Sequence, residues 1–320
     1  MPRCSPCAMF FALLVAPTAA LAQDWPKLQP VKVIVPLTAG SGADIIARAV
    51  FEQVGRQVGQ TFVVENRPGA GTTIGMGVVA RANPDGYTIL VNTASQVAVP
   101  ATYAKLPFDT AEDFVGLSCL ANLPLLVATA RKYKTIHDLI AAAKANPGSK
   151  TFGSAGVGSA GHLFMERLRL AAGYEGIHVP FRGTPGALAE LMAGRLDMYP
   201  APVPAAIGLV REGKINAIAV SSPKRIKSMP DVPTLKEAGL VNADYNFWVG
   251  AFAPAKTPHA IVELLNREIV AALALDKLKD QIANLGGEAA PMSLAEFNAF
   301  VRREITVNAE IVQASGFKPQ

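Results

Sequence analysis

From Val31 onward the chain alternates short β-rich runs with stretches whose apolar residues recur at helical spacing, which restricts it to an α/β architecture with largely parallel sheets. Val31 to Val35 reads as a strand, 43–58 as a helix, 61–64 as a strand and 73–81 as a helix. A turn at Asn83-Pro84-Asp85-Gly86 then leads into a third strand over 87–91. A second block repeats the pattern, with helices over 136–145, 159–172, 185–193 and 205–212 and strands over 150–153, 177–181, 196–199 and 217–220. Ser293 with Glu296 and Thr234 with Glu237 have capping-box spacing, and Thr257-Pro258 and Thr184-Pro185 place a cap residue before a first-turn proline. The C-terminal part reads as mostly helical.

The N-terminus bears on the compartment. Arg3 supplies a positive start, Ala8 to Ala20 is a short apolar stretch, and Ala20-Leu21-Ala22 is a small-x-small cleavage signal, so residues 1–22 read as a secretory leader cut after Ala22 and the chain as periplasmic. Cys4 and Cys7 leave with the leader, so Cys119 has no partner for an internal disulfide and reads as a small buried side chain. Burial must hold the fold together, and a chain of 320 residues, 50% hydrophobic, has the length for two domains. The net charge of +5 is spread without any run of Lys or Arg longer than two, which speaks against a nucleic-acid partner.

Two glycine- and serine-rich loops, each between a strand and a helix, are the candidate site. In the first, Pro36 to Asp44, Gly40 and Gly42 let backbone approach a ligand, Thr38 and Ser41 add hydroxyls, and the helix start presents free N–H groups. Ser41 and Asp44 also read simply as helix caps. The second, Gly153 to His162, brings Ser154, Gly158, Ser159 and His162 to another helix start. Its Gly156, Gly158 and Gly161 have G-x-G-x-x-G spacing, but Phe181-Arg182 stands near where a ribose-binding acid belongs. An NADP-type oxidoreductase is therefore a rival reading, disfavoured by export. No G-x-S-x-G elbow or H-E-x-x-H motif is present and the four histidines are scattered, so no catalytic residue, metal or cofactor is assigned.

These residues resemble the periplasmic substrate-binding component of tripartite tricarboxylate transporters, the Bug family. The resemblance runs through Val31-Lys-Val-Ile-Val-Pro36, the Gly40 to Asp44 loop, Glu65-Asn-Arg-Pro-Gly-Ala-Gly71, Pro84-Asp-Gly-Tyr-Thr88, Pro180-Phe-Arg-Gly183 and Pro230-Asp-Val-Pro-Thr234. It implies a type II periplasmic-binding-protein fold, two α/β lobes joined by two crossing strands, with a small organic carboxylate between them. Lobe 1 is expected over 23–124 and 221–320 and lobe 2 over 125–220, with crossings near 114–126 and 220–227. The implied partners are a dicarboxylate, aromatic acid or similar ligand and the transporter's membrane subunits, and the chain is expected to be a monomer and not an enzyme. Matching motifs place Thr38, Gly40, Ser41, Gly42 and Asp44 in one ligand loop and Ser154, Gly158, Ser159 and His162 in the other, with Thr93 and Ser95 lining the cleft.

Two departures from the family pattern bear on the ligand. Tyr199-Pro-Ala-Pro-Val-Pro204 stands where the family often carries Asp and Asn, and Phe181 where it often has Tyr, so the far end of the ligand is expected to be less polar than an amino acid or citrate. A module that senses a ligand for a signalling partner is the second alternative.

Overall fold

The computed structural model describes residues 25–319; the leader read at 1–22 lies outside them. The first strand, β1 (Val31–Val35), is followed by α1 (Gly42–Val58), β2 (Phe62–Asn66), α2 (Thr73–Ala80), β3 (Thr88–Thr93), α3 (Ser95–Thr102) and β4 (Phe114–Asn122). The chain then runs through β5 (Leu125–Thr129), α4 (Ile136–Ala145), β6 (Thr151–Ser154), α5 (Ala160–Ala172), β7 (Ile177–Pro180), α6 (Thr184–Met192), β8 (Met198–Pro202), α7 (Val203–Arg211) and β9 (Asn216–Val220). It ends with β10 (Trp248–Pro254), α8 (His259–Ala274), α9 (Asp276–Asn284), β11 (Glu288–Ala289) and α10 (Leu294–Ser315).

These strands make two sheets, one ordered β11-β4-β10-β3-β1-β2 and the other β7-β6-β8-β5-β9. In the first, β1 lies parallel to β2 and β3, whereas β10 is antiparallel to β3 and β4. In the second, β6 is parallel to β7 and β8, and β5 is antiparallel to β8 and β9. Besides the two-residue edge strand β11, antiparallel to β4, each antiparallel strand is the one by which the chain enters a sheet from the other. The parallel strands therefore end at the junction between the sheets, and the helices that follow them begin there. β1 is buried at every position except Lys32, as a strand covered on both faces must be.

The first passage between sheets is short, Leu123 and Pro124. The return differs from the expected 220–227. Ser221 N–H bonds to Leu125 O at 2.8 Å, but the chain enters the first sheet only at Phe247, whose carbonyl accepts Leu123 N–H at 2.8 Å. Between them Ile226, Met229 and Val232 pack into the core under α6 and α7, because a long apolar-studded connection is held by burial wherever a core face is open. Thr234 and Glu237 do exchange both capping-box bonds, but over a single turn. The Ser293–Glu296 box caps α10 as expected.

The C-terminal helix α10 packs on α3 and β4 and reaches α5 of the second sheet's lobe. Phe297, fully buried, touches Trp248 and Phe252, and Gly250 and Gly116 leave room for its ring. Phe297→Ala is expected to lower stability by about 3–5 kcal/mol, read as an earlier urea midpoint; a loss below about 1 kcal/mol would show that this cluster repacks freely.

Candidate functional site

A narrow cavity lies where the two sheets meet: about 30 Å³ of it admits the centre of a water molecule, within about 380 Å³ of unfilled space. Its wall comes from both sheets' loops. Ser41, Gly42 and Ala43 open α1, Ser95 opens α3, Ser159 caps α5, Thr184 opens α6 and Pro202 caps α7. Five helix N-termini thus converge on one space, as strand ends that share one junction require. Among the described residues no Lys, Arg, His, Asp or Glu lines it. The positive potential comes from backbone: each helix start carries the equivalent of roughly half a positive charge.

The hydroxyls are arranged as donors. Ser95 Oγ accepts the Thr93 hydroxyl at 2.9 Å and, across the lobe junction, Ala160 N–H at 3.0 Å. Thr93 Oγ1 in turn accepts Ser95 N–H at 3.2 Å. Ser41 Oγ accepts Asp44 N–H at 3.3 Å, Ser159 Oγ accepts His162 N–H at 3.4 Å, and Thr184 Oγ1 accepts the Tyr199 hydroxyl at 3.0 Å. Each of Ser41, Ser95, Ser159 and Thr184 accepts at least one bond from the protein, Ser95 two, and with no acceptor for their protons among the described residues they present four O–H donors. All four are at least 97% buried. The first-turn amides of Gly42, Ala43 and Gly161 lie in the same wall.

The cavity brings together Ser41, Gly42, Thr93, Ser95 and Ser159 of the residues singled out in the sequence, whereas Thr38, Gly40, Asp44, Ser154, Gly158 and His162 are not among its lining residues. The Asp44 carboxyl accepts Gly40 N–H at 2.9 Å, Arg48 Nε at 3.0 Å and Asn66 Nδ2 at 3.0 Å. Burial works to raise its pKa but is outweighed by Arg48, Gly40 and Asn66, which hold it below the usual carboxylate range. Thr184 was a cap residue by spacing; the observed cap is Gly183, and Thr184 is a wall hydroxyl. Pro185 gave the signal for a helix start but could not show which way the threonine faces. Tyr199, Pro200, Pro202, Leu125 and Phe247 complete the apolar part of the wall.

Glycines let the lobes touch. A Cβ on Gly183 would overlap Thr38 Oγ1, one on Gly158 would overlap Thr102 Oγ1, and one on Gly156 would lie 3.0 Å from Gly71 N. Tyr103 OH also bonds Val157 O at 3.1 Å across the junction. Two of the three G-x-G-x-x-G glycines are therefore occupied by the opposite lobe, and the third, Gly161, packs on Pro200.

The tripartite tricarboxylate transporter family receptor model matches residues 46–317. The chain belongs to this receptor family. It is 36% identical to the UPF0065 protein in the tcbD-tcbE intergenic region of Pseudomonas sp. strain P51 over 278 residues, covering 86% of this chain and 83% of the relative. The periplasmic binding protein BugD superposes with a TM-score of 0.87 at 30% identity, covering 92% and 99% of the two chains. R. palustris Rpa4515, solved with adipate, superposes with a TM-score of 0.89 at 30% identity, covering 93% and 100%. The two-lobe periplasmic-binding-protein fold and a solute-binding role for a tripartite transporter follow from this membership. Among the described residues no helix is long and apolar enough to cross a membrane.

In this receptor the second loop rests on two histidines stacked 3.8 Å apart between ring centroids. His162 Nδ1 accepts Gly158 N–H at 3.1 Å, so its neutral ring carries the proton on Nε2, 3.8 Å from Glu166 Oε1. His178 Nε2 lies 2.7 Å from Ser154 Oγ, which also donates to Gly156 O at 2.8 Å. Burial, with the neighbouring His178 second, pushes His162 down to about 3, and burial pushes His178 down to about 4. Cys119, by contrast, is sealed inside, its thiol raised to about 12 by burial.

Between these folded values and the ordinary value near 6.5 the unfolded chain binds more protons, so stability falls as pH falls from about 6.5 toward 4, by up to about 1.4 kcal/mol per pH unit for each histidine. Denaturation midpoints across pH 7.5 to 4.5 should therefore drop more steeply for the native chain than for a His162→Gln/His178→Gln variant. Equal slopes would remove the stack from the acid response.

Proposed function

We propose that the chain is exported, loses residues 1–22 after Ala22, and as a periplasmic monomer captures a small organic carboxylate, which it hands unaltered to the membrane subunits of a tripartite transporter. The two lobes in this reading are 23–124 with 221–320, and 125–220. The ligand loops are those of Thr38, Gly40, Ser41, Gly42 and Asp44 and of Ser154, Gly158, Ser159 and His162, with Thr93 and Ser95 between. Ser41, Thr93, Ser95 and Ser159 face the ligand, and the others hold the loops in shape. The observation that carries the reading is the set of buried hydroxyls whose protons have no acceptor among the described residues, at a convergence of helix starts. Such a wall stabilises a carboxylate and has no anionic side chain to pair with a cation.

Binding at micromolar affinity requires about 8 kcal/mol, and a helix terminus supplies at most about 2 kcal/mol when partly buried. The remainder comes from closure, which removes water and sets donors of both lobes on one anion. The narrow cavity and the glycine contacts between the lobes support this reading, in which the lobes close around the ligand.

Two substitutions test this on the acid that gives the largest thermal shift. Ser95→Ala removes one charge-assisted donor and is expected to weaken binding roughly 10- to 150-fold by calorimetry. Gly183→Ala, at a position whose extended backbone suits alanine, obstructs closure against Thr38 and is expected to weaken binding about 10-fold or more with little change in the unliganded melting temperature. Native affinity in both variants would move the site away from this junction.

A further inference from the structure

The composition of the cavity wall restricts the ligand further. We infer that this receptor takes a monocarboxylate with an apolar body and no amino group, a short aliphatic or aromatic acid. This rests on the proposed binding role of the same cavity. The donors are hydroxyl protons and first-turn amides, and no side-chain cation, carboxamide or carboxylate stands among the lining residues. A carboxylate accepts about four hydrogen bonds, and Ser41, Ser95, Ser159 and Thr184 match that number. A second carboxylate would be buried without a cation and with only the few remaining amides, and burying a charge that is neither paired nor fully hydrogen-bonded is costly.

The remaining wall is apolar by construction. Pro200 and Pro202 are alternate residues of β8 and both line the cavity, so they share one face of the strand. Neither carries an N–H, so the strand supplies no backbone donor at either position. The pairing of β8 with β6 is confined to Phe152 and Met198 and does not continue to Pro200. The Tyr199 hydroxyl is already used by Thr184, so its residue adds no polar group to a ligand. Leu37, Leu125 and Phe247 complete a surface that gains from burying hydrocarbon and would strand a hydroxyl or carboxylate.

An amino group meets a different obstacle. Every helix at the cavity presents its N-terminus, which repels a cation, and no carboxylate lines the wall to pair with one. Asp44, the acid nearest in sequence to the first helix start, is held by Arg48, Asn66 and Gly40 outside the cavity.

The test is a calorimetric titration of the chain purified after export, with benzoate, hexanoate, adipate, citrate and phenylalanine. Benzoate or hexanoate is expected to bind at least about 10-fold more tightly than adipate or citrate, with phenylalanine weaker still. Adipate, citrate or phenylalanine binding as tightly as the monocarboxylates overturns this inference and leaves the carboxylate-binding role standing. Failure of every acid, with the melting transition intact, overturns both. Pro200→Asn, which restores an N–H and adds a carboxamide, is expected to move the benzoate-to-adipate preference about 5-fold or more toward adipate. An unmoved preference in a variant that melts like the native chain overturns the role given to the apolar wall.

Discussion

Four buried hydroxyls, each already accepting from the protein and each with a proton that meets no acceptor among the described residues, are the constraint on which the rest of this structure depends. Ser95 is the clearest case, since it accepts from Thr93 of its own lobe and from Ala160 of the other. That bond ties the donor set to closure: opening the lobes removes Ala160 from Ser95, and the hydroxyl regains an acceptor site. The selectivity for anions and the motion of the lobes are then one property of the same few atoms.

The topology explains why such a set arises without any charged side chain. Strands that end at a common junction oblige the helices after them to begin there, and five of them do. A side-chain cation would bring a fixed charge with a strong pull on any anion. Helix starts and hydroxyls instead act at short range and in defined directions, so they hold one carboxylate and release it when the junction opens. The glycines at 71, 156, 158 and 183 serve the same end, because any side chain there would hold the lobes apart.

Much of this was legible in the sequence, and the exceptions have physical causes. The helices of the two glycine-rich loops begin within a residue of where Ser41 and Ser159 placed them, because an N-cap is a local signal. Helix α3 gave no periodic signal, being short, interrupted by Pro100 and buried on nearly all sides. Thr184 carried the correct local signal but a different role, since the partner of its hydroxyl, Tyr199, lies on another strand. Phe247 and Leu125 reach the cavity only because the two passages between sheets run side by side, which no local pattern encodes. The apolar run Pro200 to Pro204 was visible as composition; its position in the wall required the strand.

The most direct measurement is a crystal structure of the chain with 4-bromobenzoate, located by the anomalous signal of bromine. The account predicts the carboxylate oxygens about 2.6–3.2 Å from the hydroxyls of Ser95 and Ser159, with the bromine against Pro200, Pro202 and Phe247. A carboxylate turned toward the prolines, or an acid seated outside the junction of the lobes, would contradict it.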